Sequence, residues 1–391
     1  MKYCESCVYP LVAVNLEFQD GICTACSMAL ENFSAEIDWD FREQEFVKLA
    51  ETAIASSSGN YDCIVPVSGG KDSYYQVHIA KKYGLKPLLV TYHGNNYLPE
   101  GDYNRDRMRL VFDADHLVLG PSVEVLKKMN RLGFKKMGDM NWHAHCGIFT
   151  YPMQVAVKFD IPLVLWGEVA WDISGMFSIH DMVEFSNRTR HEHGLRGFEW
   201  YDFTGEDNEG LADNDLNWAK YPSDDEIANV GLRGVFVGNY FKWDANTHTK
   251  LVMDEYGWRA AQKPFERTYR LMSNLDDRYE NGIHDLLKFV KFGYGRASDH
   301  ASKDVRSGIM TRDEAIEMVR KYDHVISSDL AYWLDYVSMT ELEFWQTADK
   351  FRDPRVWSIK NGKWVKDTIW GQPEEFGEVF LDQGSWSMYQ K

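Results

Sequence analysis

Six consecutive residues, Ser68-Gly69-Gly70-Lys71-Asp72-Ser73, concentrate the groups that could handle a phosphate chain. Adjacent glycines let backbone N–H groups converge on one concavity with no side chain in the way. Ser68 and Ser73 add hydroxyls, Lys71 a positive charge and Asp72 a carboxylate within reach of a metal ion. The apolar run Ile64-Val65-Pro66-Val67 precedes the string and the helix-like stretch Tyr74 to Lys82 follows it. The string is therefore a turn from a strand into the positive end of a helix dipole, which is a cradle for a polyphosphate. It is neither the Walker sequence, whose first glycine stands four residues before Gly-Lys-Ser/Thr, nor G-x-G-x-x-G. The plainer alternative is a glycine turn that only caps the helix.

Four cysteines form a second constellation. Cys4-x-x-Cys7 and Cys23-x-x-Cys26 have fifteen residues between their inner members. That spacing suits a tetrahedral Zn(Cys)4 site with each pair in one tight turn. A segment this short has too little core to fold alone, so a structural metal would support it. An iron–sulfur cluster or unmetallated thiols are the alternatives. Cys63 reads as a small buried hydrophobe inside a strand.

Three further strings carry polar chemistry. His143, His145 and Cys146 lie in Asn141-Trp142-His143-Ala144-His145-Cys146-Gly147, read as a polar loop at the mouth of a site, with one His reaching phosphate or substrate. A second metal site there would need more ligands than stand nearby, and a nucleophilic Cys146 would need a base that adjacency in sequence does not supply. Trp166-Gly167-Glu168 closes a strand, and Glu168 either meets a metal or caps the next segment. Lys291-Phe292-Gly293-Tyr294-Gly295-Arg296-Ala297-Ser298-Asp299-His300 is a glycine-flanked loop bearing Arg296, Asp299 and His300.

The elements that must hold these residues alternate. Residues 61–67, 87–92, 116–119 and 161–166 read as strands, with helices over 71–83, 103–112, 122–131 and 146–159 between or before them. Buried strands alternating with helices imply an α/β fold with a parallel sheet, whose ligands lie beyond the strand C-terminal ends. The chain divides into a Cys4 segment (1–30), a helix and linker (31–60), the α/β domain (61–185), a loop-rich substrate region (186–300) and a mostly helical C-terminal region (301–391). In the helix at 31–60, Phe46, Leu49, Ala50, Ala53 and Ile54 recur at helical spacing. Thr311-Arg312-Asp313-Glu314 opens a helix as a capping box, and Trp357, Trp364 and Trp370 dock an otherwise unpatterned tail.

Composition narrows the partners. The 391 residues carry 43 basic and 60 acidic side chains, a net charge of −17. Such a chain is a poor partner for a nucleic-acid backbone, whose binding is driven by Lys and Arg. No apolar run approaches the length of a membrane-spanning helix and Met1-Lys2-Tyr3-Cys4 opens no signal segment, so a cytoplasmic protein with reduced thiols is expected.

The string SGGKDS after a buried strand resembles the PP-loop of the ATP pyrophosphatases, of adenine nucleotide alpha hydrolase-like fold. These enzymes split ATP between its α and β phosphates. With the paired CxxC motifs, HxHCG, WGE and KFGYGRASDHAS in this order, nearly the whole chain resembles the N-acetyl sugar amidotransferases of bacterial surface-glycan biosynthesis. The resemblance implies ATP held by Ser68 to Ser73, His93, Gly94 and Gly167, with Mg2+ on Asp72 and Glu168 and a structural Zn2+ on Cys4, Cys7, Cys23 and Cys26. It implies Lys71, Asp72, Glu168 and His145 as catalytic residues, and His143, Trp166, Arg296, Asp299 and His300 facing an N-acetyl sugar, often nucleotide-linked. The implied activity is an AMP-forming carbon–nitrogen ligase that turns an acetamido group into an acetamidino group. The ammonia would come from a separate glutaminase subunit with a cyclase-like partner, since no glutaminase Cys–His arrangement is visible; a homodimer is compatible. A PP-loop enzyme acting on tRNA, as thiolase or ligase, is the alternative, and the acidic charge speaks against it; a non-catalytic nucleotide-binding protein would have little use for SGGKDS.

Overall fold

The computed structural model describes residues 2–13, 16–34, 37–57, 59–94, 97–168, 180–273, 275–277 and 279–390. At the N-terminus, β1 (Phe18–Gln19) and β2 (Ile22–Cys23) form a hairpin leading into α1 (Thr24–Ser34). Asp20 and Gly21 both take positive φ there, the twist a two-residue hairpin turn requires. α2 (Trp39–Ser56) starts where the Asp38 carboxylate accepts from the Phe41 N–H at 2.9 Å. It buries Phe46, Leu49, Ala50 and Ala53, while Ile54 stays exposed.

The chain then builds one parallel sheet from β3 (Cys63–Pro66), β4 (Pro87–Tyr92), β5 (His116–Leu119), β6 (Leu163–Trp166) and β7 (Arg233–Phe236), in the order β5-β4-β3-β6-β7. α3 (Lys71–Lys82), α4 (Pro99–Phe112), α5 (Val123–Met137), α6 (Trp142–Phe159), α7 (Asp224–Val230) and α8 (Ala245–Tyr256) accompany it. Successive residues of a strand face opposite sides. Val65 and Leu89 accordingly enter the core under α3 and α8, and Ile64, Leu88, Val90 and Val164 the core under α6.

The sequence ends the α/β domain at residue 185, but the sheet takes its fifth strand from residues 233–236, paired in parallel with β6. Gly234 and the exposed Arg233 interrupt the apolar run by which the other strands are read. The strand order reverses between β3 and β6, so the segments after these two strands flank the crevice in which such sheets bind ligands.

The C-terminal half packs α9 (Glu280–Phe292), α10 (Arg296–Arg306), α11 (Arg312–Tyr322), α12 (Asp329–Val337) and α13 (Glu341–Ala348) against this unit. The capping box at Thr311 and Glu314 forms as expected. The tail carries no α-helix among the described residues beyond Ala348, and ends in a 3-10 turn over Gln383–Tyr389. It is an antiparallel sheet of β8 (Ser358–Lys360), β9 (Lys363–Thr368) and β10 (Gly371–Glu378). Asn361-Gly362, both at positive φ, makes the β8–β9 turn, an Asn-Gly pair that signals a hairpin by residue type alone. Trp357 and Trp364 are fully buried beneath it. No helix among the described residues is long and apolar enough to cross a membrane.

Candidate functional site

The loop after β3 is held from behind and open in front. Gly69 has φ +83°, and a β-carbon there would stand 2.7 Å from the Arg105 backbone nitrogen, so only glycine fits. Trp258 Nε1 donates to the Gly69 carbonyl at 2.9 Å and Ser73 Oγ to the Gly70 carbonyl at 2.9 Å, pinning the far side of the turn. The Gly70 N–H donates to Ser68 Oγ at 3.3 Å. Gly70 is the N-cap of α3 and brings no side chain to the first-turn N–H groups, leaving them for an anion. Lys71, nearly buried, reaches Asp72 Oδ2 at 2.5 Å. Asp72 Oδ1 is buried with no hydrogen-bond partner among the described residues, as suits a carboxylate awaiting a cation.

Across the crevice, Gly167 follows β6 and leaves room for Gln76: a β-carbon at Gly167 would come within 2.2 Å of Gln76 Nε2. Gln76 lies one helical turn beyond Asp72 on α3, a neighbour that helical spacing alone could have named. Glu168 stands beyond the end of β6, as expected, with its Oε2 accepting from Lys303 of α10 at 3.0 Å. That partner is 135 residues away and leaves no local signal. At the end of β4, burial and Arg105 push the His93 imidazole below its ordinary pKa, favouring the neutral ring. Gly94 faces His143 and Asp277. Burial, reinforced by Glu280, pushes the Asp277 carboxyl well above the usual range. Asn95 and Asn96, the next two residues of this turn, lie outside the described residues.

Several residues read as substrate contacts are placed otherwise. Trp166 lies in the core, its ring 4.6 Å from Phe185 and 5.6 Å from Phe149. His143 and His145 belong to the first turn of α6, not to a loop. His143 is fully buried, with Nδ1 3.1 Å from the Tyr92 hydroxyl and Nε2 2.8 Å from Glu280 Oε1. Asn130 donates to the same carboxylate at 2.8 Å and accepts from Trp333 Nε1 at 2.9 Å, so this network ties β4 to α12. His143→Ala should therefore destabilise the fold by about 2–4 kcal/mol in urea unfolding, because Glu280 stays buried with a partner missing. A change below about 0.5 kcal/mol, the size of a surface effect, would return His143 to the substrate side. Burial and Arg196 bring His145 down to about 3, which makes it a weak proton acceptor.

Beside His145, one buried carboxylate meets two cations and an imidazole. Asp139 meets Arg196 at 2.8 Å, His284 at 2.8 Å and Lys291 at 3.7 Å. Despite burial, His284, Lys291 and Arg196 hold this carboxyl well below its usual range. Arg296, Asp299 and His300 come together at the start of α10, each held by protein. Arg296 pairs with Asp285 at 2.8 Å, Asp299 with Lys288 at 2.5 Å, and His300 Nδ1 lies 2.6 Å from Thr268 Oγ1. These residues orient α10 instead of presenting free groups to a sugar.

The four cysteines converge. Their sulfurs lie within 4.8 Å of one another, all buried and unpaired by disulfides. Cys7 and Cys23 Sγ are 3.8 Å apart. A tetrahedral Zn2+ with Zn–S bonds of 2.3 Å requires a separation of about 3.8 Å, so the set fits the ion. Backbone N–H groups of Cys7 and Cys23 donate to Cys4 Sγ at 3.5 and 3.4 Å, as a thiolate ligand needs. The cluster docks on the C-terminal half: Arg312 donates to the Cys4 and Cys7 carbonyls at 3.1 Å, and the Tyr9 hydroxyl to Asp299 at 2.9 Å.

A parallel sheet with SGGKDS at its switch point defines a PP-loop α/β protein. Residues 267–369 match the family described as LPS biosynthesis protein WbpG-like, C-terminal domain. The match lies in the C-terminal helices and the tail sheet and is in keeping with the family that the sequence resembles. Among solved structures, the NH3-dependent NAD synthetase from Campylobacter jejuni subsp. jejuni is 12% identical, covering 50% of this chain and 92% of its own at a TM-score of 0.29. The NMN synthetase from Francisella tularensis is 12% identical over 59% and 99% (TM-score 0.30). A predicted subunit of tRNA methyltransferase from Methanocaldococcus jannaschii is 14% identical over 50% and 87% (TM-score 0.22). At such scores the fold rests on this chain's own strand order. No curated protein matches the sequence.

Proposed function

We propose that the protein adenylates the acetamido oxygen of an N-acetyl sugar and exchanges that oxygen for ammonia, giving an acetamidino sugar for surface-polysaccharide assembly. The observation that carries this reading is the loop after β3, with an uncapped helix N-terminus, a buried lysine and a carboxylate oxygen lacking a partner at one point. An amide carbonyl is a weak electrophile without a leaving group. Its oxygen attacks the α phosphorus of ATP and pyrophosphate departs. Ammonia then adds to the carbon, the C–O bond breaks, AMP leaves with the oxygen, and loss of protons leaves the amidine.

The N–H groups at the start of α3 and Lys71 stabilise the charge that grows on the departing pyrophosphate. Asp72 and Glu168 are the residues that would hold Mg2+, which when bound neutralises phosphate charge; Glu168 would then share itself between the metal and Lys303. Ammonia is delivered by a separate glutaminase subunit with a cyclase-like subunit. Incubation with ATP, Mg2+, ammonium and a panel of acetamido sugars should give AMP together with a sugar whose mass reports NH in place of O. AMP formed only when tRNA is added, or ATP bound without turnover by any sugar, would overturn the reading.

A further inference from the structure

One lysine of the C-terminal helices, Lys303 of α10, crosses to the end of β6 and meets Glu168 there. We propose that Lys303 is a phosphate-binding residue that bridges Glu168 and the phosphate chain of ATP, so that the C-terminal half completes the nucleotide site. The identity of the nucleotide rests on the proposed reaction, and the place of the contact rests on geometry.

Strand register gives that place. Ile64 of β3 pairs with Val164 of β6, and Ser68 and Glu168 each stand four residues beyond this pair. Neighbouring strands run about 5 Å apart, so Glu168 leaves the sheet beside the first residue of the phosphate loop. Gln76 packs against Gly167, which keeps this strand end close to the helix that the loop opens. Lys303 Nζ lies 3.0 Å from Glu168 Oε2.

The helix that delivers Lys303 is fixed at its start. Asp323 accepts from the N–H groups of Gly295 and Ser298 at 2.9 and 3.1 Å, and from Ser298 Oγ at 2.6 Å. Ala301 is buried in one cluster with Val8, next to the cysteine knuckle. Other charges of α10 end on protein, Arg296 on Asp285 and Asp304 on Arg270. Asp285 is fully buried, whereas the side chains of Lys303 and Glu168 remain 24% and 28% exposed, open to a ligand in the crevice. A pair this open to water holds weakly. An ammonium has three N–H donors, so Lys303 can keep Glu168 and still donate to a phosphate oxygen.

Charge balance calls for such a group. ATP carries several negative charges, and Lys71 of the loop is already shared with Asp72. Arg105, behind the loop, pairs with Asp102 and Asp106. Lys303 brings a compact charge on a flexible stem from the β6 side, suited to phosphate oxygens that shift during reaction. A salt bridge that only docked α10 on the sheet would instead treat nucleotides with and without phosphates alike.

The test uses the full chain in Mg2+-free buffer without sugar, titrating ATP by calorimetry and following adenosine by saturation-transfer NMR. Lys303→Met should weaken ATP binding about tenfold, the effect of losing one charge-assisted hydrogen bond, and leave adenosine binding unchanged. Glu168→Gln breaks the same pair but keeps the ammonium, and should bind Mg2+-free ATP at least as tightly as the parent. Unchanged ATP affinity in Lys303→Met, an equal loss for adenosine, or weaker ATP binding in Glu168→Gln would overturn the assignment and leave Lys303 as a docking contact. Absence of AMP with every sugar would instead sink the proposed reaction, and the binding measurements would still judge Lys303.

Discussion

Asp72→Asn is expected to lower AMP release by about 10²- to 10³-fold, the usual cost of deleting one electrostatic group from a charge-stabilising site. Asparagine keeps the shape of the side chain, so α3 and the loop should fold as before. The carboxylate's two functions are lost together: it holds Lys71 at 2.5 Å through Oδ2, and its Oδ1 is the buried oxygen without a partner. The neutral amide can neither hold Lys71 by charge nor serve Mg2+ as a charged ligand. Steady-state AMP formation over a range of Mg2+ concentrations is the measurement, with zinc content and melting temperature as controls. Turnover within a few-fold of the parent would remove Asp72 from the chemistry.

The other large effect is expected at the opposite end of the chain. Cys4→Ser should abolish stoichiometric zinc and lower the melting temperature by about 4 °C, corresponding to about 3 kcal/mol in a chain of this size. Cys4 Sγ accepts from two backbone N–H groups and completes the four-sulfur set, so a serine there cannot hold the ion as a thiolate does. The damage should spread, because Tyr9 and Arg312 join this knuckle to Asp299 and α11. Metal analysis and thermal unfolding of the same preparation decide the matter. A zinc-free variant that melts with the parent would show that the knuckle contributes nothing to the fold.

The two sites differ in how they depend on the rest of the molecule. The ligands of the knuckle are set locally, because each CxxC pair closes its own turn, although the knuckle docks through Arg312 and Tyr9. The phosphate loop needs Arg105 and Trp258, whose backbone and indole fix Gly69 from outside. Positioning residues of this kind carry no motif. Lys303, Glu280 and Asp277 are likewise unremarkable in sequence and become relevant only where helices cross.

Local order in the chain was enough to specify the parts whose logic is short-range: SGGKDS between a strand and a helix, four cysteines in two knuckles, four strands of the sheet, the capping box at Thr311. Each depends on turns, caps and alternations spanning a few residues, and those constraints are written in residue type and spacing. Tertiary packing alone decided which charged side chains are spent on one another. His143 looks like a free ligand until Tyr92 and Glu280 close on it, and Arg296 and Asp299 look exposed until Asp285, Lys288 and Tyr9 take them. Whether a polar group faces a ligand depends on partners from 11 to 290 residues away, on other elements of the fold, and a burial cost that only a folded core imposes determines that choice.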